Sequence, residues 1–88
     1  METSLCWATR QRSAPQVALL LRHRADPNAA GRGGMAPLHF AARAGSLEIG
    51  RMLVEAGAEC GREWRGKTAA ALAEANGHDA LAAVLEGG

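Results

Sequence analysis

At 88 residues with a formal net charge of +1, the chain makes one domain at most, and its charge balance excludes a bulk electrostatic drive towards nucleic acid or membrane. Twenty alanines against one Phe, two Trp and no Tyr point to tightly stacked helices, because alanine is the best helix former and buries little area per residue. The longest strongly apolar run, Val17-Ala18-Leu19-Leu20-Leu21, is too short to cross a bilayer, with no signal peptide expected before it. Cys6 and Cys60 stand far apart, against a disulfide framework.

The first predicted helix runs from Ser4 to about Arg10, with Leu5 and Ala8 inward and Trp7 set to cover the open end. Ser13-Ala14-Pro15-Gln16 follows the capping-box pattern and opens a second helix, Pro15 to Arg22. Arg24 stands where a left-handed residue is expected, a modest penalty for a non-glycine. Residues 25–34 read as a glycine-rich hairpin. Pro37 suits the first turn of a helix, Leu38, Ala41 and Ala42 follow at helical spacing, and Gly45 ends the run. Leu47 to Val54 forms the next helix and Gly57 stops it. Thr68 caps a helix running to about Asn76, Gly77 closes it, and Asp79 to Glu86 is the last helix before a frayed Gly87-Gly88.

The chain repeats itself. A shift of 33 residues lays Leu5 on Leu38, Ala8 on Ala41, Ser13 on Ser46 and Leu20 on Leu53; a shift of 32 lays Gly34 on Gly66, Gly45 on Gly77 and Leu53 on Leu85. The central stretch, with Gly34, Pro37-Leu38-His39, Ala41-Ala42, Gly45, Leu47-Glu48-Ile49, Leu53 and Gly57-Ala58-Glu59, resembles the ankyrin repeat. The family pattern reads roughly G-x-T-P-L-H-x-A-A-x-x-G-x-x-E-I-V-x-x-L-L-x-x-G-A-D. Ala25-Asp26-Pro27-Asn28-Ala29 matches another typical run of the family. The resemblance implies an all-α solenoid of helix-turn-helix units with short β-hairpin connections, in one domain over 1–88, with units at about 1–33, 34–65 and 66–88. The third looks like a C-terminal capping repeat. Ala36 departs from the family Thr, removing an N-cap hydroxyl worth about 1 kcal/mol. Gly50 departs from the usual β-branched residue, with an expected loss of packing and about 1 kcal/mol of helix propensity.

Gly61-Arg62-Glu63-Trp64-Arg65-Gly66-Lys67-Thr68 satisfies the P-loop string G-x-x-x-x-G-K-[ST] literally. That chemistry needs a buried strand before the loop, so that backbone N–H groups face phosphate. A helix ends at Gly57 instead, and nucleotide binding is a distant alternative. The cysteines and histidines show neither C-x-x-C nor H-x-x-x-H spacing, so no metal or other cofactor is expected. His39 is read as structural, bonding within and between repeats as the resemblance implies, while His23 and His78 are expected at the surface. No nucleophile–base set is visible, and the chain is not expected to be an enzyme.

The resemblance implies non-enzymatic binding of a protein partner through the concave surface of hairpins and first helices, by a monomer inside the cell, cytoplasmic or nuclear. Mapped onto this chain, the binding residues are Arg10, His23, Arg32, Met35, Arg43, Ala56, Trp64, Arg65 and Lys67. The arginines suit an acidic segment, and Trp64 is the expected anchor. A terminal or capping part of a larger ankyrin scaffold is the alternative. Asn28 is a candidate for hydroxylation, since substrates in this family favour a Leu eight residues before and an Asp two before, here Leu20 and Asp26.

Overall fold

A computed structural model describes residues 4–29 and 31–87, with Arg32 described in its backbone alone. Six helices follow in order: α1 (Ser4–Arg10), α2 (Ala14–Arg22), α3 (Pro37–Ala44), α4 (Leu47–Glu55), α5 (Ala69–Ala75) and α6 (Asp79–Gly87). Between α2 and α3 lies one 3-10 turn, Arg32–Gly34. Between α4 and α5 two short strands, β1 (Glu63–Trp64) and β2 (Lys67–Thr68), pair antiparallel, with Trp64 opposite Lys67.

The helices pair as α1/α2, α3/α4 and α5/α6, and the pairs stack in sequence: α1 on α3 and α3 on α5 in one layer, α2 on α4 and α4 on α6 in the other. No helix here can bury its own apolar stripe, so the core is made between pairs. Leu5, Val17, Leu38, Ile49, Leu53, Leu81 and Leu85 fill it, with Ala8, Ala41, Ala42, Ala69 and Ala73 at the close approaches. A satellite cluster of Cys6, Met35 and Phe40 sits beside it, and Trp64 packs against both.

Local chemistry sets the boundaries. Gly45 closes α3 at φ +75°, and its N–H reaches the Ala41 carbonyl at 2.8 Å. A Cβ there would also lie 2.6 Å from the His78 ring, so glycine is demanded twice, by handedness and by space. His78 is therefore half-buried over this turn rather than at the surface. Arg24 adopts the left-handed φ of +64° expected of it. The capping box at Ser13 does not form: Ser13 makes no side-chain cap bond, with Arg12 before it at φ +57°. Ser46 does cap α4, accepting from the Ile49 N–H at 3.3 Å.

Gly50 is not the packing loss expected of it. A Cβ at Gly50 would stand 2.4 Å from Leu81 Cδ1, so the missing side chain is the space that lets α6 seat on α4. Among the described residues linking α2 to α3 no strand pairing forms either; they close through the Gly31 N–H on the Met35 carbonyl at 2.7 Å.

Thr68 accepts a hydrogen bond from the Ala71 N–H at 3.2 Å. Ala36 holds the equivalent place before α3 and offers no cap. Ala36→Thr is expected to raise stability by about 0.5–1 kcal/mol, read as a higher denaturation midpoint. Ala36 is buried, so Ala36→Ser, which adds a hydroxyl without a methyl, is the smaller companion; no gain from either contradicts a capping deficit at Pro37.

Candidate functional site

The hairpin of β1 and β2 dominates the concave side. Arg65 and Gly66, at φ +54° and +77°, form its two-residue turn, the mirror-image geometry that matches strand twist. The P-loop string 61–68 thus folds as a hairpin whose turn is Arg65-Gly66, not as a strand, phosphate loop and helix.

Trp64 is half-buried on β1. Its Nε1–H donates to the Gly33 carbonyl at 2.9 Å, tying the hairpin to the turn one repeat earlier. Its ring lies tilted against His39, with centroids 6.4 Å apart. The Arg65 guanidinium lies over it at 4.7 Å, a cation–π geometry. Trp64 therefore has the home in the core that its hairpin position does not suggest.

Below the ring, a groove of about 510 Å³ is lined by Arg10, Gly33, Met35, Phe40, Arg43, Ala44, Trp64 and Arg65. Met35 and Phe40, both buried, make its floor; Arg10, Arg43 and Arg65, all exposed, stand at its rim. Arg43 Nη1 lies 3.8 Å from the Met35 sulfur, and Arg65 rests on Trp64, so two rim cations are oriented by the apolar floor. The fold brings together Arg10, Met35, Arg43, Trp64 and Arg65 of the expected binding residues. Lys67 is exposed on β2, and His23 and Ala56 are exposed at the C-terminal ends of α2 and α4; none of the three lines the groove. The side chain of Arg32 lies outside the described residues. Gly33, Phe40 and Ala44 were not expected in the site; Phe40 reads as core because its neighbours in α3 are core.

His39 sits behind this hairpin, 1% exposed. Its Nε2–H donates to the Lys67 carbonyl at 3.2 Å, since a carbonyl can only accept. Nδ1 then carries the lone pair and finds no partner among the described residues. Burial, reinforced by the nearby Arg62 charge, lowers its pKa below the ordinary value despite the backbone bonds that oppose it. The unfolded chain therefore binds the proton more tightly than the folded one. The stability this contributes is present above about pH 6.5 and is lost as pH falls from there through the lower folded value. Urea midpoints at pH 7.5 and 5 should differ in that direction, and His39→Gln should flatten the difference.

Asn28 acts as a clasp between repeats. Its Oδ1 accepts from the Glu59 N–H at 2.7 Å, its Nδ2 donates to the Gly57 carbonyl at 3.4 Å, and its own carbonyl accepts from Arg62 Nη1 at 2.6 Å. Asp26 Oδ1 holds the Asn28 N–H at 2.8 Å. Among the described residues no group of His, Cys, Asp or Glu is disposed to hold a metal ion, and no helix is long and apolar enough to cross a membrane.

The comparisons with known proteins agree with this architecture. Over 57 residues, 65% of its length, the chain is 37% identical to the palmitoyltransferase AKR1 of Lachancea kluyveri, and the matched stretch is 8% of that protein. The family model for ankyrin repeats in three copies matches residues 5–88. Repeats of this kind imply a protein-interaction module and are generally non-enzymatic. With three stacked helix pairs and a match over nearly its whole length, the chain belongs to the ankyrin repeat family.

Proposed function

We propose that the concave groove binds an acidic segment of a partner protein, without catalysis. One observation carries the reading: three arginines from α1, α3 and the β1–β2 turn converge on the rim of one apolar groove. Arginine forks match carboxylates two bonds at a time, and the Met35, Phe40 and Trp64 floor offers a seat for an apolar anchor between the acids. The groove is complete within one chain, so a monomer suffices for binding. Arg32, Lys67, His23 and Ala56 extend the proposed contact surface beyond the groove itself. Cys6 and Cys60 form no disulfide with each other, which suits an intracellular setting, cytoplasmic or nuclear.

The test is a fluorescence-polarisation screen of acidic peptides that carry one aromatic or aliphatic anchor, against neutral and basic versions. The wild-type chain should select the acidic set, and Arg43→Ala with Arg65→Asn should weaken the best peptide at least tenfold, about 1.4 kcal/mol. Equal binding of neutral or basic peptides sinks the reading. Arg65→Asn carries a second readout. It relieves a left-handed arginine, worth about 1–2 kcal/mol, and gives up a cation–π contact worth about 0.5–1 kcal/mol. The fold should gain about 0.5–1 kcal/mol while binding weakens, so lost affinity cannot be blamed on unfolding.

Hydroxylation of Asn28 is proposed separately, on the spacing of Leu20 and Asp26. A hydroxylase must first open the clasp to Glu59 and Gly57, and intact-mass analysis after co-expression reads out one added oxygen.

A further inference from the structure

The groove sets its cations and its apolar wall in direct contact. Arg43 Nη1 donates to the Met35 sulfur at 3.8 Å, and the Arg65 guanidinium lies 4.7 Å from the centre of the Trp64 ring. A thioether and an indole carry no negative charge, so neither contact neutralises the guanidinium it holds. Met35 and Trp64 stand with Phe40 in the lining of the same groove, and Arg10 lines it too. No Asp or Glu is among the described lining residues.

That closeness limits what can answer it. On an extended segment neighbouring side chains point to opposite sides, and those on the same side stand about 7 Å apart. An acidic residue and a separate apolar anchor would meet cation and wall at separate places. Here cation and wall touch. A side chain that serves both at once has an apolar body and an anionic tip. Aspartate and glutamate have the acid but no body to fill the floor, and phosphoserine lacks one as well. Phosphotyrosine has a ring, which packs well on Phe40 and Trp64 and against the Met35 sulfur. Its phosphate carries about −1.5 to −2 charges at pH 7 and three strong acceptor oxygens. That is enough for more than one arginine fork, where a carboxylate has a single unit of charge.

We propose that the groove takes a phosphorylated tyrosine of the partner segment. Its ring lies against Met35, Phe40 and Trp64, and its phosphate is held by Arg43 and Arg65, with Arg10 adding to the field. The inference rests on the acidic-segment reading of the same groove and narrows it: the acid and the anchor become one residue.

Fluorescence polarisation with one peptide in four forms tests it, with neutral flanks and tyrosine, phosphotyrosine, glutamate or phosphoserine at one position. The phosphotyrosine form should bind about tenfold or more tighter than each of the others. Arg43→Lys keeps the charge and loses the fork, and should remove most of that advantage. Arg51→Ala removes an exposed arginine on α4 that lies outside the groove, and should leave it unchanged. Phenyl phosphate should displace the phosphotyrosine peptide at concentrations where inorganic phosphate does not. Phosphoserine binding as tightly as phosphotyrosine overturns the proposal, because the ring then counts for nothing; inorganic phosphate competing as well as phenyl phosphate does the same. So does an equal loss with Arg51→Ala and Arg43→Lys, which would mean attraction by bulk charge. Selective binding of carboxylate-bearing peptides with no gain from phosphorylation sinks this inference and leaves the groove's acidic preference standing. Failure of every acidic and phosphorylated peptide sinks both.

Discussion

Gly50→Val is expected to destabilise the fold by about 1–3 kcal/mol, the usual range for an overpacked core. The clash is with Leu81 Cδ1, which a Cβ alone would approach to 2.4 Å, and Leu81 is 2% exposed and has no solvent to swing into. The position itself is not hostile to a branched side chain. Val17, its equivalent one repeat earlier, is fully buried on α2, so the exclusion is local to Leu81. Leu81→Ala alone should cost about 2–5 kcal/mol through the cavity it leaves. The two changes together should cost less than their sum, with a coupling of about 0.5–3 kcal/mol. For a domain of this size each kcal/mol moves the melting temperature by about 4–8 °C, so a thermal scan resolves the cycle. Strict additivity would mean that Gly50 is there for some reason other than making room for α6.

Trp64→Ala should lower stability by about 2–3 kcal/mol, below the 3–5 kcal/mol of a fully buried aromatic because the side chain is only partly buried. Three losses combine: the packing against both core clusters, the Nε1–H bond to the Gly33 carbonyl, and the seat of the Arg65 guanidinium. An anchor that stood clear of the fold would leave the melting temperature unmoved, and that expectation gives way to this geometry. Trp64→Phe separates the parts. It keeps most of the ring and removes only the donor, for a loss of about 1 kcal/mol. Thermal scans of both variants, beside peptide affinity, divide the residue's structural role from its part in the groove. An Ala variant as stable as the parent would place Trp64 outside the core.

What could be read in the sequence was whatever has a local cause. Pro37, Gly45, Gly57 and Gly77 announce helix ends because φ is a property of one residue, and the helices begin and stop beside them. Thr68 caps its own helix for the same reason. What was misread depends on a neighbour far along the chain. Gly50 looks like a weakness until Leu81, one repeat later, is seen filling its place. Trp64 looks homeless until Gly33 and His39 are brought to it. His78 looks exposed until it covers Gly45. Ser13 is the converse, a correct local pattern that Arg12's left-handed backbone leaves unused. In the groove, the family resemblance pointed to Arg10, Arg43 and Arg65, but Phe40 was invisible as a site residue because the floor of a groove and the wall of a core carry the same apolar signature.

Every substantial helix pairing lies within one pair or between adjacent pairs. This has a consequence for how the protein is made. At a ribosome, α1 through α4 can begin to dock once Glu55 has emerged, because their pairings with one another are all encoded before it, and the Asn28 clasp and the cover over Gly45 are added afterwards. Folding can then advance by accretion, each new helix pair landing on a finished surface, with short loop closures throughout and no long search. The nascent intermediate at that stage exposes the α3/α4 face that α5 and α6 will cover, with Gly50 as an open notch awaiting Leu81.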